Sequence, residues 1–324
     1  MNLNRRKALG LGVGGALAAT IGTSAPAAAS TATLKEAYNA QTAAAGGNWY
    51  TKVTKVDAAG TWTSIITDDP DKVIDGASVQ KLAVATAVLD KVDRGLLQLD
   101  QKVTLSSDLM LSGSGMYFLQ TVWGDQITIA GFLTTLLLVS DNTCVRLCGS
   151  VCGTDETNAI LASKGFTYTR VEPGSGPNRF FLGKTTPNEM NLLLRMLVGG
   201  TLLSTRSTNF MVGVLRGLSG YHDGVRRDMS SAERSRVATK YGADDDRRHE
   251  AGVIFDSSGR PTLTYAMFAD ALPDSGNYGG THPAVKAHAV LGRKMFDEVA
   301  AVRNLARSAG PSFPIEQFAP SNGN

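Results

Sequence analysis

Histidine and cysteine are scarce in this chain, four and three among 324 residues. His222, His249, His282 and His288 are scattered and lack metal-pair spacing such as H-x-x-x-H, which argues against a histidine-built metal centre. His249 is expected at the surface. Cys144, Cys148 and Cys152 recur every four residues. On one helix they share a face, where the close Cβ approach of a disulfide is seldom reached. They read as small apolar core residues, and the odd count leaves one thiol over. No metal and no cofactor is called for.

A surplus of one charge is missing too. Lys and Arg number 32 against 29 Asp and Glu, and three of the basic residues lie in 1–29, which holds no acidic ones. The remaining chain is therefore balanced, and no Lys/Arg stripe interleaves with aromatics. A nucleic-acid partner is not expected. Long apolar runs are also lacking, since Ala8 to Ile21 is too short to cross a bilayer. Preceded by Asn4-Arg5-Arg6-Lys7 and followed by Ala27-Ala28-Ala29, that run reads as an export signal over 1–29. Its adjacent arginines suggest the twin-arginine route, which carries folded proteins. A secreted or periplasmic location and no membrane span in the mature protein follow as expectations.

What is present alternates in kind. The patterning predicts a helix over 34–45, strands over 49–56 and 62–67, and a long helix from Gly76 carrying Ser78 and Lys81. Helices are expected over 128–139, from Thr143, over 155–163 and over 190–198, the last opened by Thr186-Pro187. Thr167 to Gly183, with two prolines and three glycines, reads as a loop. Strands over 237–241, 250–256 and 262–270 and a helix over 283–303 close the pattern, with a disordered tail over 304–324. Strands at both ends around a helical middle imply an α+β protein of two lobes, 30–75 with 225–303 and the helical 76–224. A cleft between them is the natural place for chemistry.

Ser78-Val79-Gln80-Lys81 is followed 62 positions on by Ser140-Asp141-Asn142 and a further 100 on by Lys240-Tyr241-Gly242. A serine hydroxyl is a poor nucleophile at neutral pH without a base in reach. Lysine three residues later on a helix lies on the same face and can supply one. Alone, Ser-x-x-Lys is a weak signal; Ser-Asp-Asn in this order is rarer.

These motifs, with Ser112-Gly113-Ser114-Gly115, Ile127-Thr128-Ile129 and Thr185-Thr186-Pro187, resemble the class A β-lactamase-like serine hydrolases, a branch of the penicillin-interacting enzymes. The resemblance runs from about residue 50 to about residue 300. It implies the two-lobe fold of β-lactamases and DD-peptidases, an antiparallel sheet flanked by helices plus an all-helical lobe. It implies Ser78 as acylated nucleophile, Lys81 as its base partner and Ser140 as proton relay to the leaving nitrogen. Asn142 would hold the substrate amide, Lys240 would support the cleft's electrostatics, and Tyr241, Gly242 and Ala243 would continue the substrate-binding strand. The backbone N–H groups of Ser78 and Ala243 would form the oxyanion hole. The implied partner is a small-molecule or peptide amide, most readily a β-lactam, taken by a monomer; a D-Ala-D-Ala peptidase or esterase, or a slowly deacylating binder, is the alternative.

Two departures stand out. The family's deacylating glutamate lies in Glu-x-x-Leu-Asn, and this chain offers only Thr169-Arg170-Val171-Glu172-Pro173; Glu172 is either that base or a salt-bridge partner of Arg170. The family's small hydroxyl residue after Lys240 is replaced by Tyr241, ahead of Asp244-Asp245-Asp246. That triplet reads as a solvated turn, and Arg226 or Arg227 is the candidate for a compensating positive charge.

Overall fold

The computed structural model describes residues 33–57, 59–120, 122–176, 179–300 and 311–314. The expected export signal over 1–29 lies outside the described residues. Helix α1 (Leu34–Ala45) starts from a capping box in which Thr33 and Glu36 satisfy each other's backbone N–H groups. Strands β1 (Asn48–Val56), β2 (Trp62–Asp68) and β3 (Ile74–Asp75) follow. A 3-10 turn, Ala77–Gln80, then runs into α2 (Lys81–Asp93). Every residue from Lys81 to Leu89 is buried, so this helix is the axis of the helical layer rather than an amphipathic surface helix.

Around α2 gather α3 (Ile129–Leu138), α4 (Thr143–Val151) and α5 (Thr154–Ser163), with a two-stranded ladder of β4 (Lys102–Thr104) and β5 (Gln126–Thr128). The expected loop at 167–183 is instead a hairpin, β6 (Arg170–Gly176) and β7 (Arg179–Thr185), joined to β3 in a three-stranded sheet. Proline and glycine hid its pattern. Pro173 is tolerated because β6 is the sheet's edge, where a missing N–H costs no ladder bond. Helices α6 (Pro187–Val198) and α7 (Thr205–Arg216) follow, the latter not anticipated, then a single turn α8 (Ser231–Arg234).

Strands β8 (Val237–Asp244), β9 (Arg247–Phe255) and β10 (Pro261–Asp270) complete a five-stranded antiparallel sheet in the order β2-β1-β10-β9-β8. Period-two alternation sorts its side chains. Leu263, Tyr265 and Met267 join the core shared with α1 and α9 (Pro283–Ala300). Ala266 and Phe268 join the larger core of α2 to α7. Both faces are covered, which explains the nearly continuous burial along β9 and β10. In the stretch read as a disordered tail, 311–314 depart from that reading. Phe313 is 4% exposed, bonds Gly259 O at 2.9 Å and meets Phe255 edge-on at 5.6 Å.

One further correction concerns a polar residue. His249 is fully buried, with Nε2 2.9 Å from Asp75 O and Nδ1 accepting from Ala269 N at 3.2 Å. Burial lowers its pKa to about 4; it is a neutral core histidine. The three cysteines are free thiols in the core.

Candidate active site

Ser78 enters its turn after Ala77, whose φ of +42° lies in the left-handed region. That conformation costs a non-glycine residue on the order of 1 kcal/mol and is kept where the surroundings impose it. Because the turn is a 3-10 helix with three residues per turn, positions 78 and 81 fall on one edge. Ser78 is partly exposed there, and Lys81 is completely buried.

Ser140 sits between α3 and α4 and is also left-handed, at φ +58°. Its loop is clamped to the 112–117 segment. Asp141 Oδ2 accepts from Met116 N at 2.6 Å and Tyr117 N at 2.9 Å, and Asn142 N donates to Ser114 O at 3.0 Å. A Cβ on Gly115 would lie 2.3 Å from Asp141 Cα, which is why this Ser/Gly turn accompanies the Ser-Asp-Asn motif.

Lys81 Nζ donates to Ser140 O at 2.5 Å, Ser140 Oγ at 3.1 Å and Asn142 Oδ1 at 2.8 Å. From the sheet side, Lys240 Nζ reaches Ser140 Oγ at 3.0 Å and Tyr241 O at 2.8 Å. Ser140 Oγ thus accepts from both lysines. A hydroxyl has two lone pairs and one proton, so its O–H remains free to donate to a third group. Gly242 brings β8 against the nucleophile's turn: a Cβ there would lie 2.9 Å from Ser78 N and 2.8 Å from Val79 N. The closeness of the strand requires the glycine.

Burial lowers the Lys81 ammonium to about pKa 7, against opposing pulls from Cys144, Asp141 and Cys148. Lys240 falls well below its ordinary value, first through burial and then through repulsion by Lys81. Near neutral pH Lys81 is therefore partly an amine. Among the described residues no hydrogen bond joins Ser78 Oγ to Lys81, so proton transfer requires the amine to turn from its present acceptors.

The structure brings Lys81, Ser140, Asn142 and Lys240 together, with Gly242 against the turn of Ser78 and Ala243 next on the same strand. Tyr241 does not join them. Strand alternation sends its ring toward the opposite face from Lys240, stacked on Tyr221 at 4.0 Å. Glu172 lies on β6 opposite Phe181; among the described residues it has no ion pair with Arg170 and no hydrogen bond to Lys81. Arg226 is buried and donates to Gly217 O at 2.9 Å, Leu215 O at 2.6 Å and Val237 O. Arg227 is exposed and bonds Gly280 O. Asp244 and Asp245 are exposed, as a solvated turn requires.

Several residues that shape the site carried no motif. Gln80 Nε2 donates to Arg170 O at 3.1 Å and Lys184 O at 3.0 Å, fastening the hairpin beside Ser78; a polar residue inside an apolar helix start is its only sequence signal. Glu189, three residues after Thr186, looks like a capping-box partner. Its carboxylate instead accepts from the N–H groups of Thr167, Tyr168 and Thr169.

The model of the β-lactamase enzyme family matches residues 32–299. Among solved structures, a β-lactamase from Sphaerobacter thermophilus is similar at 22% identity and TM-score 0.67, over 84% of this chain and 98% of its own. An ancestral class A β-lactamase matches at 23% identity and TM-score 0.68, over 82% and 100%. A mutant of PBP-A in an acyl-enzyme complex with penicillin G matches at 16% identity and TM-score 0.66, over 82% and 95%. No curated protein matches the chain. The chain belongs to the β-lactamase enzyme family and is a β-lactamase-like serine hydrolase.

Proposed function

We propose that this member of the β-lactamase enzyme family opens an amide, most readily a β-lactam, through an acyl-enzyme on Ser78. The observation that carries the reading is Ser140 Oγ held between Lys81 and Lys240, with Ser78 one 3-10 turn before Lys81. Lys81 as the free amine takes the Ser78 proton while Oγ attacks the carbonyl. The backbone N–H groups of Ser78 and Ala243 receive the developing oxyanion, a contribution of about 3 kcal/mol per donor. Asn142 holds the substrate amide, and Ser140 hands its free proton to the departing nitrogen and regains one from Lys81.

The position of Glu172 favours a second reading of the later step. The chain lacks the family's Glu-x-x-Leu-Asn string, and on this reading Glu172 positions no water at the ester, so the acyl group leaves slowly, as in a β-lactam-binding protein. One run separates the two: mature protein incubated with penicillin, with adduct mass and free product followed over time. A Ser78-linked adduct that decays slowly supports acylation with poor turnover. Rapid product without accumulation supports a β-lactamase with a working base. Unchanged hydrolysis in Ser78→Ala would overturn the assignment. Turnover confined to D-Ala-D-Ala peptides or simple esters would shift the substrate class while keeping the nucleophile.

Export through residues 1–29 is part of the same proposal, supported by the twin arginines, the short apolar run and Ala27-Ala28-Ala29. N-terminal sequencing of extracellular or periplasmic protein should read from Ser30; intact Met1 in the mature protein speaks against it.

A further inference from the structure

Glu250 is fully buried on β9 and no step above uses it. It stands opposite Tyr241 in the β8–β9 ladder, on the face of the sheet away from Lys240. Its Oε1 accepts from Thr239 Oγ1 at 2.7 Å and its Oε2 from Val225 N at 2.9 Å. Thr239 precedes Lys240 and Val225 precedes Arg226, so one carboxyl group holds the backbone just ahead of two buried cations. The hydroxyl of Thr239 also accepts from Tyr265 OH at 2.8 Å, which leaves its single proton for Glu250. Both carboxyl oxygens therefore face donors. An added carboxyl proton would need an acceptor, and the nearest nitrogen, His288 Nδ1, is 3.6 Å from Oε2, beyond hydrogen-bond reach. The surroundings are built for the ionised form.

The cations nearby have neutral partners. Lys81 donates to Ser140 and Asn142, Lys240 to Ser140 and Tyr241 O, and Arg226 to the carbonyls of Leu215, Gly217 and Val237. Burial and Lys81 both push Lys240 toward the neutral amine, and Glu250 pulls the other way. Glu250 supports the charge of Arg226 in the same sense. Burial pushes Glu250 itself up to about 7, against its two donors, Arg226 and Lys240, so above that pH it is a carboxylate. Its other titratable neighbours add little charge. His288 on α9 is held neutral, its pKa lowered by burial to about 3. Burial keeps Tyr265 on β10, Tyr241 on β8 and Tyr221 protonated. Arg248 on β9 gives its guanidinium to the carbonyls of Asp245, Arg247, Ser275 and Asn277, and Asp223 is exposed.

The charge of Lys240 matters to Ser140. An ammonium has three donors and no acceptor, so beside it Ser140 Oγ can only accept, and its own proton stays free. A neutral amine 3.0 Å away has a lone pair and can take that O–H as a hydrogen bond. On the acylation reading above, Ser140 would then no longer present its proton to the departing atom. We propose that Glu250 is a positioning residue: from the far face of the sheet, its carboxylate keeps Lys240 charged and in place, so that the Ser140 proton points to the departing atom.

Full-length protein labelled with 13Cε-lysine and titrated by NMR reads the Lys240 proton directly, with Lys240→Met assigning the signal. Lys240 should remain charged at pH 8 in the unaltered protein and lose its proton on the order of one pH unit lower in Glu250→Gln. Glu250→Asp keeps the charge without the reach to both donors and should restore at least half of that shift; a purely structural role makes Asp no better than Gln. Acylation by penicillin at pH 8, followed by adduct mass, should fall about tenfold in Glu250→Gln and recover in part in Glu250→Asp, each fold checked by circular dichroism. The coupling is reciprocal, so Lys240→Met should raise the Glu250 titration, read from 13Cδ-glutamate with no change at position 250. Lys240 uncharged at pH 8 in the unaltered protein, a Lys240 signal unmoved in folded Glu250→Gln, or a Glu250 signal unmoved in Lys240→Met overturns the proposal. The two readings fail separately. Shifted titrations without any Ser78 adduct defeat the acylation reading alone, whereas full-rate acylation with Lys240 unmoved in Glu250→Gln defeats the role of Glu250 alone.

Discussion

Lys81 is the residue whose chemistry is most exposed to pH. Its pKa is lowered in the folded protein to about 7, chiefly by burial. Acylation by penicillin should accordingly rise as pH increases through about 7 and then level, measured as the initial rate of adduct formation by intact mass. The sign for stability follows from proton counting. Between about pH 7 and the ordinary lysine value the unfolded chain binds the proton and the folded one does not, so this group makes stability rise with pH across that window. Chemical denaturation across that range should show the slope, and Lys81→Met should remove the Lys81 contribution to it together with acylation. Gly242 tests position rather than charge. A Cβ 2.9 Å from Ser78 N must push the strand from the turn, and displacement of reacting groups by about 1 Å can cost on the order of 100-fold in rate. Gly242→Ala should lower the acylation rate by that scale while shifting the unfolding midpoint far less.

At the scale of elements, the hairpin β6–β7 is held at its open end. Gln80 binds carbonyls of both of its strands, and Glu189 gathers three backbone N–H groups at its entry. Gln80→Leu leaves two carbonyls short of a donor and should cost about 1–3 kcal/mol. Limited proteolysis should then cut within 170–185 faster than in the unaltered protein, and equal cutting would show the hairpin to be held by other contacts. This region also marks where the sequence stopped being readable. Helix α1 lies where the pattern puts it because its burial repeats with the backbone, and β10 because its unbroken buried run follows a turn. The hairpin escaped because its prolines and glycines mimic a loop, and α7 because its motif-free run carries no Pro or Gly signal at its start. The cluster itself was legible from Ser-x-x-Lys and Ser-Asp-Asn, since short spacings fix geometry directly. Tyr221, His249 and Gln80 were not, because each acts through partners far away in the chain.

For the whole molecule, the sheet's two buried faces divide the work. Lys240 and Gly242 serve the helical side, while Tyr241, Thr239 and Glu250 look to the α9 side, so one strand supplies both the reacting cluster and the aromatic wall beside it. The return of 311–314 seals one end of the larger core, where Phe313 covers Phe255. Phe313→Ala should lower stability by about 2 kcal/mol, the scale for burying one such side chain, and leave acylation by penicillin unchanged; thermal unfolding and adduct mass check the two halves. A purification handle fused after Asn324 keeps this plug in place. Trimming the chain back to the end of α9 for crystallisation would strip it off and uncover a greasy patch prone to self-association.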